Sequence, residues 1–150
     1  MQEQKTATLA TILSEVLQDL AFMFSDGEED ETTPGEVWLE TEIAYEGASC
    51  GGLRLLCTRH FAATLATNLL GAEPDHVTNA SEAHDAVKEF MNIVCGQLVT
   101  AWYGTEDVYN LTIPTIRELP ETPPFAAPDT PDVATVYVEG QRLQLTYASG

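Results

Sequence analysis

The chain has 150 residues, 44% of them apolar, and its 24 acidic and 6 basic residues give a net charge of −18. That length suits one domain with a substantial core. The charge repels phosphate backbones and anionic lipid, and no apolar run approaches the roughly eighteen residues of a membrane span, so neither nucleic acid nor a membrane is an expected partner.

The opening stretch MQEQKTATLATILSEV lacks the basic start and apolar block of a signal peptide. The three cysteines, Cys50, Cys57 and Cys95, are an odd number in helix or strand contexts. Both features lead to the expectation of a cytoplasmic protein with reduced, mostly buried thiols. Residues Thr8 to Phe24 place Leu9, Ile12, Leu13, Val16, Leu20 and Met23 at helical spacing, which predicts a first helix with one apolar stripe. The acidic run Asp26 to Glu31 that follows reads as a solvated loop, because it lacks the ligand spacing of a calcium loop.

In "EVWLETEIAY", Val37, Leu39, Thr41, Ile43 and Tyr45 alternate with Glu40 and Glu42, the period-two pattern of a strand with one face toward a core and its glutamates toward water. A turn over Glu46 to Gly52 leads to a second strand, Leu53 to Cys57. Thr58 can then cap a short helix that Gly71 stops. Asn79 with Glu82 forms a capping-box-like start for a long helix to about Tyr103. Val108 to Ile116 resumes strand-like alternation, and Pro114 within it points to an edge or a bulge. Glu118 to Asp132, rich in proline and acid, reads as an extended surface excursion, and the chain closes as a hairpin around Glu139-Gly140. The order helix, strand, strand, helix, helix, strand, hairpin predicts an α+β layout: a mostly antiparallel sheet with helices packed on one face.

The long helix holds the most informative pattern. Advancing about 100° per residue from Asp85, Glu89 falls at about 40°, Asn92 at about −20° and Gly96 at about 20°, so these four share one narrow strip. Val87, Phe90, Met91, Val94, Leu98, Ala101 and Trp102 fall broadly opposite and belong to the core. Gly96 costs the helix about 1 kcal/mol relative to alanine, which makes sense where another molecule or backbone must come close. Periodicity alone leaves two readings open: a solvated polar face with an incidental glycine, or a contact site.

The pattern Asp85-x-x-x-Glu89-x-x-Asn92-x-x-x-Gly96 resembles the signature of the CheC/CheX/FliY family of response-regulator phosphatases. "FAATLATNLLG", Phe61 to Gly71, resembles the segment before the motif helix in that family, and "LTIPTI", Leu111 to Ile116, the strand after it. A single copy of the motif is most similar to the CheX-like branch. The resemblance implies a CheC-like fold with a duplicated helix-strand-strand arrangement, and acceleration of aspartyl-phosphate hydrolysis on a phosphorylated CheY-like receiver. It implies no cofactor of the chain's own, the Mg²⁺ being supplied by the receiver, and no covalent intermediate on the phosphatase. Asn92 then positions the attacking water, Glu89 pairs with a receiver lysine, and Asp85 and Gly96 contribute to docking. The alternative is a non-catalytic module on the same scaffold that binds a signalling partner or dimerises.

Two-site members of the family carry a second Glu-x-x-Asn on the first helix. Here the equivalent is Glu15-Val16-Leu17-Gln18, with the longer amide and unmatched flanks, which reads as a plain exposed face. Phe22 on that polar side points to a contact surface such as a homodimer interface. Cys57-x-x-His60 has metal-like spacing but only two ligands and reads as core, and His84 beside Asp85 reads as a solvated histidine. Trp38 and Trp102 read as core or interface aromatics.

Overall fold

The computed structural model describes residues 8–21, 37–70, 80–120, 123, 132–138 and 141–149. The expected acidic loop at 26–31, Phe22, the Asn79 cap, the Glu139-Gly140 turn and most of the proline-rich excursion lie outside them. The elements are α1 (Leu9–Ala21), β1 (Trp38–Glu46), β2 (Gly51–Thr58), α2 (Arg59–Leu70), α3 (Ala80–Tyr103), β3 (Asn110–Leu111), β4 (Thr115–Leu119), β5 (Val133–Val138) and β6 (Gln141–Ser149). This is the predicted order, with two short strands, β3 and β4, where one was predicted.

Local chemistry sets the helix ends. The Thr11 amide donates to Thr8 Oγ1 at 3.1 Å and the Phe61 amide to Thr58 Oγ1 at 3.0 Å, so each threonine satisfies an orphan amide of the helix it precedes. At the far end of α3, Gly104 takes φ +81° and its amide donates to the Thr100 carbonyl at 3.0 Å, the left-handed stop that glycine adopts without penalty.

The six strands form one antiparallel sheet ordered β3-β1-β2-β6-β5, with β4 also pairing with β1. The segment from Val108 to Ile116 is therefore broken where proline predicts trouble. β3 and β4 flank Thr112-Ile113-Pro114, and both lie on the outer side of β1. Glu118, expected in the surface excursion, instead belongs to β4 opposite Leu39. Its ladder partner, not its composition, decides its state.

Register places Leu39 opposite Cys57, Ile43 opposite Leu53, Leu55 opposite Leu145 and Val136 opposite Leu143, all turned to the side where the helices pack. There they meet Leu13 and Leu17 of α1, Phe61 and Leu65 of α2, and Phe90, Met91, Val94 and Leu98 of α3 in one buried cluster. Trp102 joins that cluster, whereas Trp38 is buried on the opposite, helix-free face together with Leu56 and Gln144.

Glu40 corrects a sequence expectation. Alternation turns it to the helix-free face as foreseen, but it is buried there, with its side chain 8% exposed. Arg117 Nε donates to Oε1 at 2.6 Å and Arg54 Nη1 to Oε2 at 2.9 Å, tying β1 to β4 and β2. Burial pushes the carboxyl pKa up, but the hydrogen bonds from Arg117 and Arg54 outweigh it and hold the group below its ordinary 4.5. A depressed folded pKa contributes stability above the unfolded value, lost as pH falls through the folded one. Glu40→Gln should therefore lower stability at pH 7 by about 1–3 kcal/mol in chemical denaturation. The gap to the unmodified chain should close as pH is taken below 4.5.

Candidate functional site

α3 is a 24-residue helix whose inward side chains leave it one rotational setting. Val87, Phe90, Met91, Val94, Leu98 and Trp102 are buried, with Ala101 half-buried beside them. The opposite strip is open. Asp85, Glu89 and Asn92 are exposed and Gly96 is partly so. All four therefore share the outward face that their spacing predicts, and the structure brings together every residue the motif named.

The strip makes no internal use of its polar groups: among the described residues, neither the Glu89 carboxylate nor the Asn92 amide has a hydrogen-bond or ion-pair partner. Gly96 is equally unemployed, because a Cβ built there would meet nothing within 4 Å. Packing among the described residues gives no reason for a glycine at mid-helix, so no close internal contact among them explains it.

The surroundings of the strip are uneven. Toward one side Cys95 and Val99 are buried. Toward the other, past Ile93 and Gln97, an open groove of about 300 Å³ separates α3 from α1. Glu15 lines that groove with Asp19, while Gln18 is exposed and does not line it. A larger concavity of about 620 Å³ lies on the helix-free face, between Ala44, Gly52, Ala148 and Ile113, and includes no strip residue.

Below its C-terminal end, α3 is pinned by an aromatic group that pattern reading passed over. Tyr45 Oη lies 2.7 Å from Tyr103 Oη and 3.1 Å from Tyr147 Oη, and the Trp102 and Tyr147 rings meet edge-on at 4.9 Å. Burial, with the bonds to Tyr103 and Tyr147, drives the Tyr45 phenol well above its ordinary pKa, so it stays neutral. Gly51 is required here, since a Cβ would approach Tyr45 Oη at 2.7 Å. The only signal in the sequence was the placing of Tyr45 and Tyr147 on core-facing strand positions.

The other candidates resolve simply. His84 is not a solvated histidine: its Nε2 lies 3.3 Å from Glu118 Oε2, linking the start of α3 to β4. Cys57 is buried and its thiol is pushed up to about 12, while His60 is exposed, so the two do not form a metal pair. Cys95 is likewise buried and pushed up to about 11, whereas Cys50 is exposed; all three thiols are free. Among the described residues there is no cluster of three or more His, Cys, Asp or Glu side chains able to hold a metal, and no helix long and apolar enough to cross a membrane.

The family profile described as "Chemotaxis phosphatase CheX" matches residues 41–122, more than half of the chain and the whole of α3. The chain belongs to the CheX family. The fold is shared with the chemotaxis protein CheX of Vibrio vulnificus, at a TM-score of 0.67 and 17% identity, covering 100% of this chain and 99% of that one. It is shared with CheX of Desulfovibrio desulfuricans at 0.66 and 14%, covering 95% and 96%. The CheX of a Borrelia burgdorferi complex described as CheX-CheY-BeF3-Mg+2 gives 0.57 and 18%, covering 94% of each chain. No curated protein sequence matches significantly.

Since nothing opposes a Cβ at Gly96, Gly96→Ala should leave the fold intact and raise stability by up to about 1 kcal/mol, read as a shift in denaturation midpoint. A loss of stability would reveal an internal role for the glycine.

Proposed function

We propose that this chain accelerates hydrolysis of the aspartyl phosphate on a CheY-like receiver domain, with Asn92 positioning the attacking water and Glu89 pairing with a receiver lysine. The observation that carries the reading is the exposed carboxylate and amide, about one helical turn apart on α3, beside a glycine that the chain's own packing does not use. Membership of a family described as chemotaxis phosphatases supports the activity. The Borrelia burgdorferi neighbour, described as a CheX-CheY complex with BeF3 and Mg+2, supports the partner.

The chemistry asked of this chain is small. Water attacks phosphorus, the bond from phosphorus to the receiver's aspartate breaks, the carboxylate leaves, and inorganic phosphate is released. The receiver's pocket and its Mg²⁺ neutralise the charge in transit, so this chain brings no cofactor. Asn92 suits the remaining task. Its amide oxygen accepts a hydrogen bond from water without titrating, and holding that water in line converts a chance encounter into a preset geometry. Glu89 acts as a fixed charge that sets how deeply and in which rotation α3 enters the cleft. Asp85 extends the acidic contact along the strip. Gly96 keeps the surface low where the receiver rests.

Asn92→Ala should lower the acceleration by about a hundredfold while leaving stability and binding nearly unchanged, because the side chain is exposed. The measurement is the decay of phosphorylated receivers, each timed with and without the protein. Undiminished acceleration by that variant would remove Asn92 from the mechanism. Glu89→Lys should instead weaken binding to beryllofluoride-loaded receiver by tenfold or more, since it sets like charges against each other. Receivers that bind but are never accelerated would mark the chain as a non-catalytic module.

A further inference from the structure

The geometry points to the groove between α1 and α3 as a second docking element for the same receiver, one that accepts an aliphatic side chain flanked by a lysine or arginine. The inference rests on the proposed function above and adds to it the surface by which a receiver is chosen.

The groove adjoins the strip directly. Ile93 follows Asn92 in the helix and Gln97 follows Gly96, and both line it. Anything seated on Asn92 with its bulk over Gly96 meets the groove next. On the other side of the strip Cys95 and Val99 are already enclosed and Lys88 is half-buried. The groove is thus an opening into which a partner seated on the strip can extend its contact.

What the groove would hold follows from its lining. Ile12 and Val16 form an aliphatic floor with Ile93, and the polar rim on the α1 side is Glu15 and Asp19. Among the described residues, no basic residue lines it. Glu15 and Asp19 are exposed and four residues apart on one helix, an arrangement in which like charges repel and weaken the helix. Among the described residues neither has a basic partner that offsets this. An external cation would offset it. An apolar floor beneath two carboxylates fits an aliphatic side chain with a cationic neighbour, and rejects an acidic surface. Such a contact adds to the attraction that Glu89 and Asp85 supply on the strip. Glu15, the acid of the motif-like Glu15-x-x-Gln18, thus serves the α3 site as a specificity-determining contact rather than forming a second site.

The test uses the full chain and a panel of purified receivers loaded with beryllofluoride and Mg²⁺, with affinity measured across a range of ionic strength. The double reversal E15K/D19K should weaken binding by about tenfold or more and flatten its salt dependence. In turnover it should raise KM and leave kcat unchanged. The reversal E42K/E46K makes the same change in net charge on the helix-free side of β1, and should shift affinity by less than about threefold. Equal weakening by both reversals, or none by E15K/D19K, overturns the groove while leaving the phosphatase reading intact if acceleration persists. Groove-dependent binding with no acceleration of any receiver does the reverse. Failure to bind any receiver overturns both.

Discussion

Burial of one face of α3 is the constraint on which the rest of this molecule depends. Phe90, Met91, Val94 and Leu98 are enclosed between the sheet and the neighbouring helices. Any rotation of the helix about its axis would expose them and carry the Glu89 carboxylate toward the core, a change disfavoured at both ends. A residue every 100° or so then has no freedom in where it points, and the outward direction of Glu89 and Asn92 follows from the inward direction of their neighbours. The tyrosine group at Tyr45, Tyr103 and Tyr147 adds an anchor at the helix's C-terminal end, and the His84–Glu118 pair adds one near its start. A rigid platform of this kind suits a task that consists of holding one water in place.

Periodicity made much of this legible. The 3.6-residue pattern of α3 and the two-residue pattern of β1 are local properties, and both the burial of Phe90 and the facing of Leu39 followed from them. Capping threonines and Pro114 were equally readable, since each acts on its immediate backbone. What stayed hidden depends on parts of the chain that meet only after folding. Glu40 occupies the expected face, yet its burial is set by Arg54 and Arg117, which arrive from other strands 14 and 77 residues away. Glu118 looked like part of an acidic, proline-rich stretch until β1 supplied a ladder partner. The groove beside the strip belongs to two helices, so no single stretch of sequence could announce it.

The motif was legible for a different reason. An exposed carboxylate and amide carry no signal on their own, because polar strips are what amphipathic helices have. A glycine in the middle of a long helix is different, since it weakens the element that contains it. The structure sharpens that point: open space at Gly96 means that packing among the described residues gains nothing from its missing side chain. The relatives share the architecture at 14–18% identity, so the scaffold tolerates extensive change in the residues that build it.

The distribution of the arginines carries a consequence at longer range. Of the five described basic residues, Arg54, Arg117 and Arg142 sit on the helix-free face of the sheet, where Glu40, Glu42 and Glu46 balance them one for one. Glu15, Asp19, Glu82, Asp85, Glu89 and Glu118 lie on the helical side, where the other two described basic residues, Arg59 and Lys88, cancel only part of them. Among the described residues, negative charge is thus concentrated on the side of α1 and α3. A cationic patch on an approaching protein is attracted to that charge while the two are still separated by about a Debye length of solvent, roughly 8 Å at physiological salt. Rotational search is thereby biased, and first collisions fall disproportionately on the helices.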